Sequence, residues 1–390
     1  MPFVTVLAAI FWLCAAAIVW TQLGYAAALA LLARLRGGGP ERPPAEAPAR
    51  LPSLTLIVAA HDEQEVIAEK VANALELDYP RELLEVIVAC DGCEDETAAR
   101  AREAGADLVL ELPRGGKIRA QDAAVERAGG ELVAFSDANA LWEPDAAREL
   151  AGVFADPRVG YACGQVRFVQ AAEGRAGGNQ EGLYWRYEMA VRERESRLSS
   201  ITAGNGAIYA TRREAYVVVD PIMGHDLSLP FNMVKRGLRA VYVPRARATE
   251  KMVPTIEGEF ARKRRMMSHT WPILLRGGML SPRGYTPGYA AMVFSHRVLR
   301  YALPFLHATA LAANVDLVAV SSGSTRTLYI ATLGLQAALL LGSALAGAVR
   351  WRPLLLARYY VLTAASPAAG LWDWLRHGTD AAWEAAEGTR

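Results

Sequence analysis

Phe3 to Ala33 is a run of 31 residues without one charged side chain. A helix crosses the ~30 Å hydrocarbon core of a bilayer with about 20 apolar residues, so this run is long enough to span. It lacks the basic leader and short apolar core of a cleaved signal peptide, and is expected to persist as an anchor. Arg34 and Arg36 follow at once. Basic residues flank spans on the cytoplasmic side, which predicts that the chain continues into the cytoplasm. The expectation is an integral protein of a bacterial-type cell membrane with its soluble part inside.

The 390 residues leave room for one or two domains with a full core. A net charge of +1 lacks the basic excess of nucleic-acid binders, so no nucleic-acid partner is expected. The mean hydropathy of +0.12 points to further membrane segments. Of the four cysteines, Cys90 and Cys93 form a C-x-x-C. A zinc site would need two further ligands, and no second C-x-x-C or C-x-H pair follows, so they read as two thiols beside a turn. Few cysteines in a long chain fit a reducing compartment.

Residues 34–52, rich in Gly, Pro and Ala, read as a linker. From Ser53 strands alternate with helices. Leu54–Ala60, Leu84–Ala89, Asp107–Leu110 and Leu132–Ser136 read as strands, the first as an apolar run fit for a parallel strand buried on both faces. Glu63–Leu75, Glu94–Ala104 and Arg119–Ala128 read as the intervening helices. Successive βα units predict a parallel sheet over a domain of residues 53–250. Ligands bind beyond the carboxyl ends of such strands. Here those ends carry His61-Asp62-Glu63, Asp91-Gly92 and Asp137-Ala138-Asn139. No G-x-G-x-x-G follows the first strand, which argues against a dinucleotide site.

Residues 251–300 hold nine Lys/Arg and two Asp/Glu among apolar and aromatic residues, as an interfacial amphipathic helix would. Tyr301–Val320 and Thr327–Val349 are candidate spans within residues 301–349, and their flanking arginines keep both ends on the cytoplasmic side. Pro353–Trp372, within residues 350–390, is interrupted by Arg358 and Pro367. It reads as interfacial or re-entrant, with a fourth span as the alternative.

Three carboxylates and one lysine stand out. Asp91 can accept a hydrogen bond from a base N–H, or be a turn residue before Gly. Asp137 can hold a divalent cation bridging phosphates, or cap a turn. Asp226, in GHDLSLPF, can act as general base, or cap the helix expected at Leu227–Arg236. His225 is a competing base. Lys117 follows two glycines, where backbone amides and a cation can converge on phosphate.

These segments, in this order, resemble membrane-bound members of glycosyltransferase family 2. The resemblance runs through VAAHDEQEVIAEKVANALELDYP, VACDGCEDET, GGKIRAQDAAVERAGGELVAFSDAN, YWRYEMAVRERESRLSSITAGNGAIYATRRE, GHDLSLPFNMVKRGLRAVYVP and EFARKRRMMSHTW, from Ser53 to Trp271, with the closing WEAAEGTR. It implies a Rossmann-like α/β fold of the GT-A type that binds a nucleotide-sugar, joined to transmembrane and interfacial helices. It implies inverting transfer from a UDP-class sugar donor to a lipid or glycan acceptor beside membrane lipids. Mg²⁺ or Mn²⁺ would rest on Asp137 and Asn139. Asp226 would be the base. Asp91, Lys117, Asp137, Glu63 and Arg265 (or Arg264) would serve the donor, and Trp271, Asn205 and His225 the acceptor side. His61, Asp62, Asp122 and His225 depart from the usual residues at their positions. The Q-x-x-R-W motif of processive synthases is absent.

Overall fold

The computed structural model describes residues 2–37, 50–169, 178–251 and 255–381. Most of the expected linker and the closing WEAAEGTR lie outside the described residues.

An eight-stranded sheet forms the centre of the soluble part. Its strands are β1 (Leu54–Ala60), β2 (Leu84–Asp91), β3 (Leu108–Leu112), β4 (Leu132–Asp137), β5 (Leu141–Trp142), β6 (Val159–Val169), β7 (Tyr209–Arg212) and β8 (Arg239–Lys251), in the order β3-β2-β1-β4-β7-β6-β8-β5. The first half is the parallel sheet the sequence predicts, with β1 between β2 and β4. All seven residues of β1 are buried, which explains its unbroken apolar run. The second half is mixed. β7 runs antiparallel to β4 and β6, β6 runs parallel to β8, and β5 closes the edge antiparallel to β8. This mixed half is a correction to a wholly parallel sheet.

The helices in chain order are α1 (Pro2–Val19), α2 (Tyr25–Leu35), α3 (Ile67–Leu75), α4 (Thr97–Glu103), α5 (Lys117–Arg127), α6 (Ala146–Gly152), α7 (Gly178–Leu198), α8 (His225–Lys235), α9 (Ile256–Leu275), α10 (Pro287–Val293), α11 (Leu299–Val320), α12 (Gly323–Leu345) and α13 (Arg352–His377). Among the described residues, four helical stretches are long and apolar enough to cross a membrane: Phe3–Leu35, Pro287–Val320, Gly323–Leu345 and Arg352–His377. The second begins 14 residues before the expected Tyr301. The fourth is one continuous 26-residue helix that contains both Arg358 and Pro367. The large apolar side chains left exposed concentrate on these stretches, among them Leu13, Leu335, Leu341 and Leu375.

A π-helical turn, Trp20–Gly24, joins α1 to α2, and another, Phe294–Val298, joins α10 to α11. The two meet: Trp20 Nε1 donates to Ser295 Oγ at 3.1 Å and Thr21 Oγ1 to the Ser295 carbonyl at 3.2 Å. The basic helix α9 does not face solvent alone. It lies along α13, clamped by Arg264 to Asp373 at 2.6 Å and by Arg358 to Glu257 at 2.8 Å. At their crossing a Cβ on Gly370 would fall 2.5 Å from Met267 Cβ, so only glycine permits this approach.

Candidate active site

The carboxyl ends of β1, β2 and β4 lie side by side at one edge of the sheet, as their parallel pairing requires. Asp91 ends β2, almost fully buried, and accepts from the Gly115 amide at 2.6 Å and the Gly116 amide at 2.9 Å. Its carboxylate therefore fastens the glycine loop before α5. A carboxylate has about four lone-pair sites, so room remains for a further donor. Gly116 sits at φ +94°, open to glycine and strained for other residues. A Cβ there would also strike the Ala381 carbonyl. The chain beyond α13 thus returns across the glycine loop, pinned by Thr379 Oγ1 to the Ser268 carbonyl at 2.9 Å.

Lys117 opens α5 and forms an ion pair with Asp137 at the end of β4. Burial would lower the Lys117 pKa, but the carboxylates of Asp137, Asp226 and Glu250 together raise it. Four groups from β4, α5, α8 and β8 therefore share one charge cluster. A Cβ on Gly206 would lie 3.4 Å from both Lys117 Nζ and Asp137 Oδ2, which places the Gly204–Gly206 loop against that cluster.

Asp226 is not the helix cap. Gly224 occupies that position, and Asp226 lies in the first turn of α8 with its carbonyl accepting from the Gly204 amide at 2.6 Å. Burial raises its carboxyl pKa, and Lys117 and Arg192 oppose that without cancelling it.

Glu250, near the end of β8, carried no signal in the sequence reading. Burial and then the charge of Asp137 push it up to about 7. The carboxylates of Asp137 and Glu250 form a hard oxygen donor set, the type that suits Mg²⁺ or Mn²⁺. Asp137 and Glu250 fit such an ion. Asn139 lies in the turn after Asp137. Beneath this turn Lys70 of α3 is fully buried and donates to the Ala140 carbonyl at 2.6 Å. A lysine on a helix of mixed polarity gave no hint of burial in the sequence.

Several expected contacts are redirected. His225 is buried in the wall, with Nδ1 3.0 Å from Tyr209 Oη and Nε2 3.1 Å from Tyr216 Oη. Burial and the Lys117 charge push its pKa down to about 3, so the ring stays neutral near pH 7. Asn205 ties its loop to β6, donating to the Gly164 carbonyl at 2.8 Å and accepting from the Ile208 amide at 2.9 Å. Trp271 is buried against α13, its Nε1 donating to the Pro367 carbonyl at 2.8 Å. It packs between α9 and α13. Arg265 is exposed on α9, Arg264 is committed to Asp373, and Arg262 is the arginine of that helix whose charge reaches Glu250. Glu63 is buried at the head of α3, its carbonyl accepting from the Ile67 amide.

The Gly204–Gly206 loop is tied to the membrane helices by a buried ionic node. Glu195 of α7 accepts from Tyr25 Oη at 2.6 Å and from the Thr202 amide at 3.1 Å, and lies 2.7 Å from His296 Nδ1. Glu188 lies 2.7 Å from His296 Nε2 and pairs with Arg300. Arg297 donates to Thr202 Oγ1 at 2.9 Å. Arg192 donates to the Gly204 carbonyl at 2.9 Å.

Comparison with known proteins places this geometry. The family described as "Glycosyltransferase like family 2" matches residues 52–268, more than half of the chain. An N-acetylglucosaminyltransferase of Rhizobium leguminosarum bv. viciae is 27% identical over 231 residues, 55% of this chain and 54% of the relative. A poly-beta-1,6-N-acetyl-D-glucosamine synthase of Staphylococcus aureus is 23% identical over 235 residues, 58% of this chain and 56% of the relative. The chain thus spans about half the length of these curated relatives. Among solved structures, the mannosyltransferase PcManGT from Pyrobaculum calidifontis, in complex with GDP-Man and Mn²⁺, is 25% identical with a TM-score of 0.69, covering 95% of this chain and 99% of its own. The chain belongs to the glycosyltransferase family 2-like enzymes, and its soluble part has the GT-A fold.

Proposed function

We propose that this family 2-like glycosyltransferase moves a sugar from a nucleoside diphosphate donor to a hydroxyl of a lipid or glycan acceptor at the membrane surface, with inversion. The observation that carries the reading is the shared charge cluster: Asp226, its pKa raised, is electrostatically joined to a lysine already paired with Asp137. The base and the phosphate-side groups thus face one volume.

In this reading Asp226 accepts the proton of the acceptor hydroxyl as that oxygen attacks the anomeric carbon. The bond to the diphosphate breaks on the opposite side. Lys117 and the Gly115–Gly116 turn lie where the diphosphate would rest, and Asp91 receives a base N–H beside the glycine amides. A divalent cation held by Asp137 and Glu250 would offset the charge that grows on the leaving diphosphate. We assign the donor to the UDP class, in line with the N-acetylglucosaminyl names of the curated relatives. The catalytic domain is assigned to the cytoplasmic side from the arginines at the span ends.

The test is a thermal-shift panel of UDP- and GDP-sugars with Mn²⁺ on the purified full chain in detergent, followed by transfer assays of Asp226→Asn. The expected result is stabilisation by a UDP-sugar, with turnover cut by about 10²–10⁴ in the variant while donor affinity holds. Stabilisation by GDP-mannose alone would reassign the donor. Unchanged turnover in Asp226→Asn would remove the base assignment. The Staphylococcus relative is named a synthase, and product length after long incubation separates repeated from single transfer.

A further inference from the structure

The C-x-x-C of the sequence lacked two partners for a metal, and the fold brings them from another strand. Gly92, at φ +63°, turns the chain after β2 so that Cys93 Sγ lies 3.5 Å from the Ala60 carbonyl at the end of β1. His61 and Asp62 follow Ala60 directly. One ligand atom from each of His61, Asp62 and Cys93 lies within 4.8 Å of the others, all three side chains being half-buried. Tetrahedral zinc holds N, O and S donors about 3.4–3.6 Å apart, so small side-chain rotations close the set.

The imidazole is already oriented. Its Nδ1 lies 2.8 Å from the Asp91 carbonyl, and Nε2 turns toward Asp62 Oδ2 at 3.5 Å. A backbone carbonyl on one ring nitrogen with the other nitrogen directed at the metal is the usual support of a ligating histidine. On the buried side the Cys90 thiol hydrogen-bonds to Cys93.

We propose that His61 Nε2, the Asp62 carboxylate and Cys93 Sγ form a binding site for a thiophilic divalent cation, Zn²⁺ above all. Binding replaces the Cys93 thiol proton, which leaves to solvent, with a metal–sulfur bond. Three protein ligands leave the fourth position to water. A sulfur and a nitrogen donor select zinc over Mg²⁺ and Mn²⁺, so this site is chemically distinct from the all-oxygen set of Asp137 and Glu250. Its consequence is local: the ring that would bind the ion is hydrogen-bonded to the backbone of Asp91, the residue that fastens the glycine loop.

The full chain in detergent, stripped with chelator, is titrated with Zn²⁺ in excess Mg²⁺, dialysed and assayed for metal by mass spectrometry. Co²⁺ serves as the spectroscopic probe of a thiolate ligand. The site predicts a single retained zinc per chain and a near-ultraviolet thiolate-to-cobalt band. Cys93→Ser should lose both, His61→Gln and Asp62→Asn should each weaken zinc by at least about tenfold, and Asp137→Asn should keep zinc. Absence of retained zinc in the wild type overturns the site. So does equal retention by Cys93→Ser, or by both His61→Gln and Asp62→Asn, since that would assign the ion elsewhere. The two substitutions on the β1 side keep the test decisive if Cys93→Ser folds poorly.

Discussion

Lys70 offers a stability prediction whose size can be worked out beforehand. Burial lowers its pKa from 10.5 to about 7, and the nearby charges of Asp137 and Glu250 only partly oppose this. Between about pH 7 and pH 10.5 the unfolded chain keeps a proton on this amine that the folded protein has lost. Stability therefore rises with pH across that window, because the unfolded state binds more protons. Linkage applied to these two pKa values gives a gain of ~2 kcal/mol from pH 7 to pH 9. For a domain of this size that is about 4–8 °C in Tm. Lys70→Met keeps the side-chain volume and removes the titrating group. Tryptophan fluorescence during thermal unfolding, measured at pH 7, 8 and 9 for both proteins, isolates the term, since other groups titrate in both. The wild type should gain on the variant by that amount. Identical pH slopes would refute the buried, neutralisable amine. The same amine holds the Ala140 carbonyl in the turn that carries Asp137, so the variant should also bind metal and donor more weakly.

Other outcomes follow from the same cluster. With donor at about 100 times its Kd, binding to the folded state adds ~2.7 kcal/mol, and Asp137→Asn should remove most of the Mn²⁺-dependent part of the resulting shift in Tm. The acid limb of kcat/KM should lie above the ordinary Asp value of about 3.9, because protonated Asp226 cannot accept and burial raises its pKa. His225→Gln should leave that limb in place, since His225 is neutral and locked between two tyrosine hydroxyls; a displaced limb would return it to the proton transfer. Glu195→Gln should cost about 3–5 kcal/mol, seen as a large loss of Tm, by depriving the buried Arg297 guanidinium of one of its carboxylate partners.

The legible part of the fold was the part made by local pattern. β1, β2 and β4 are buried on both faces and alternate with helices, so apolar runs and turn residues located them to within two residues. The mixed half was hidden because its pairing is non-local. β6 and β8 lie parallel with α7 and β7 between them in the chain, and no local period encodes that register. The site divides in the same way. Asp91, Asp137 and Lys117 sit at strand ends or a glycine turn, where backbone geometry alone aims a side chain at the cleft. Glu250 and Lys70 come near Asp137 only because β5, which follows the Asp137 turn, pairs with β8 and is packed against α3. Their burial, not their sequence context, turns an ordinary acid and an ordinary lysine into perturbed ones.

The redirected residues show the converse. His225, Asn205 and Trp271 stand at positions where order along the chain suggested contact with an acceptor. In each, a polar atom is already committed inside the protein: to tyrosine hydroxyls, to a carbonyl of β6 and to α13. What they support is the placement of the Gly204–Gly206 loop and of α9. That loop is reached from the other side by Thr202, held through Glu195 and Arg297 to Tyr25 of α2 and to the π-helical turn before α11. A shift of either helix is therefore coupled, through Thr202, to the Gly204 amide that donates to the Asp226 carbonyl. The position of the Gly204–Gly206 loop is thus set by contacts with α2 and the turn before α11 as well as by its own sequence.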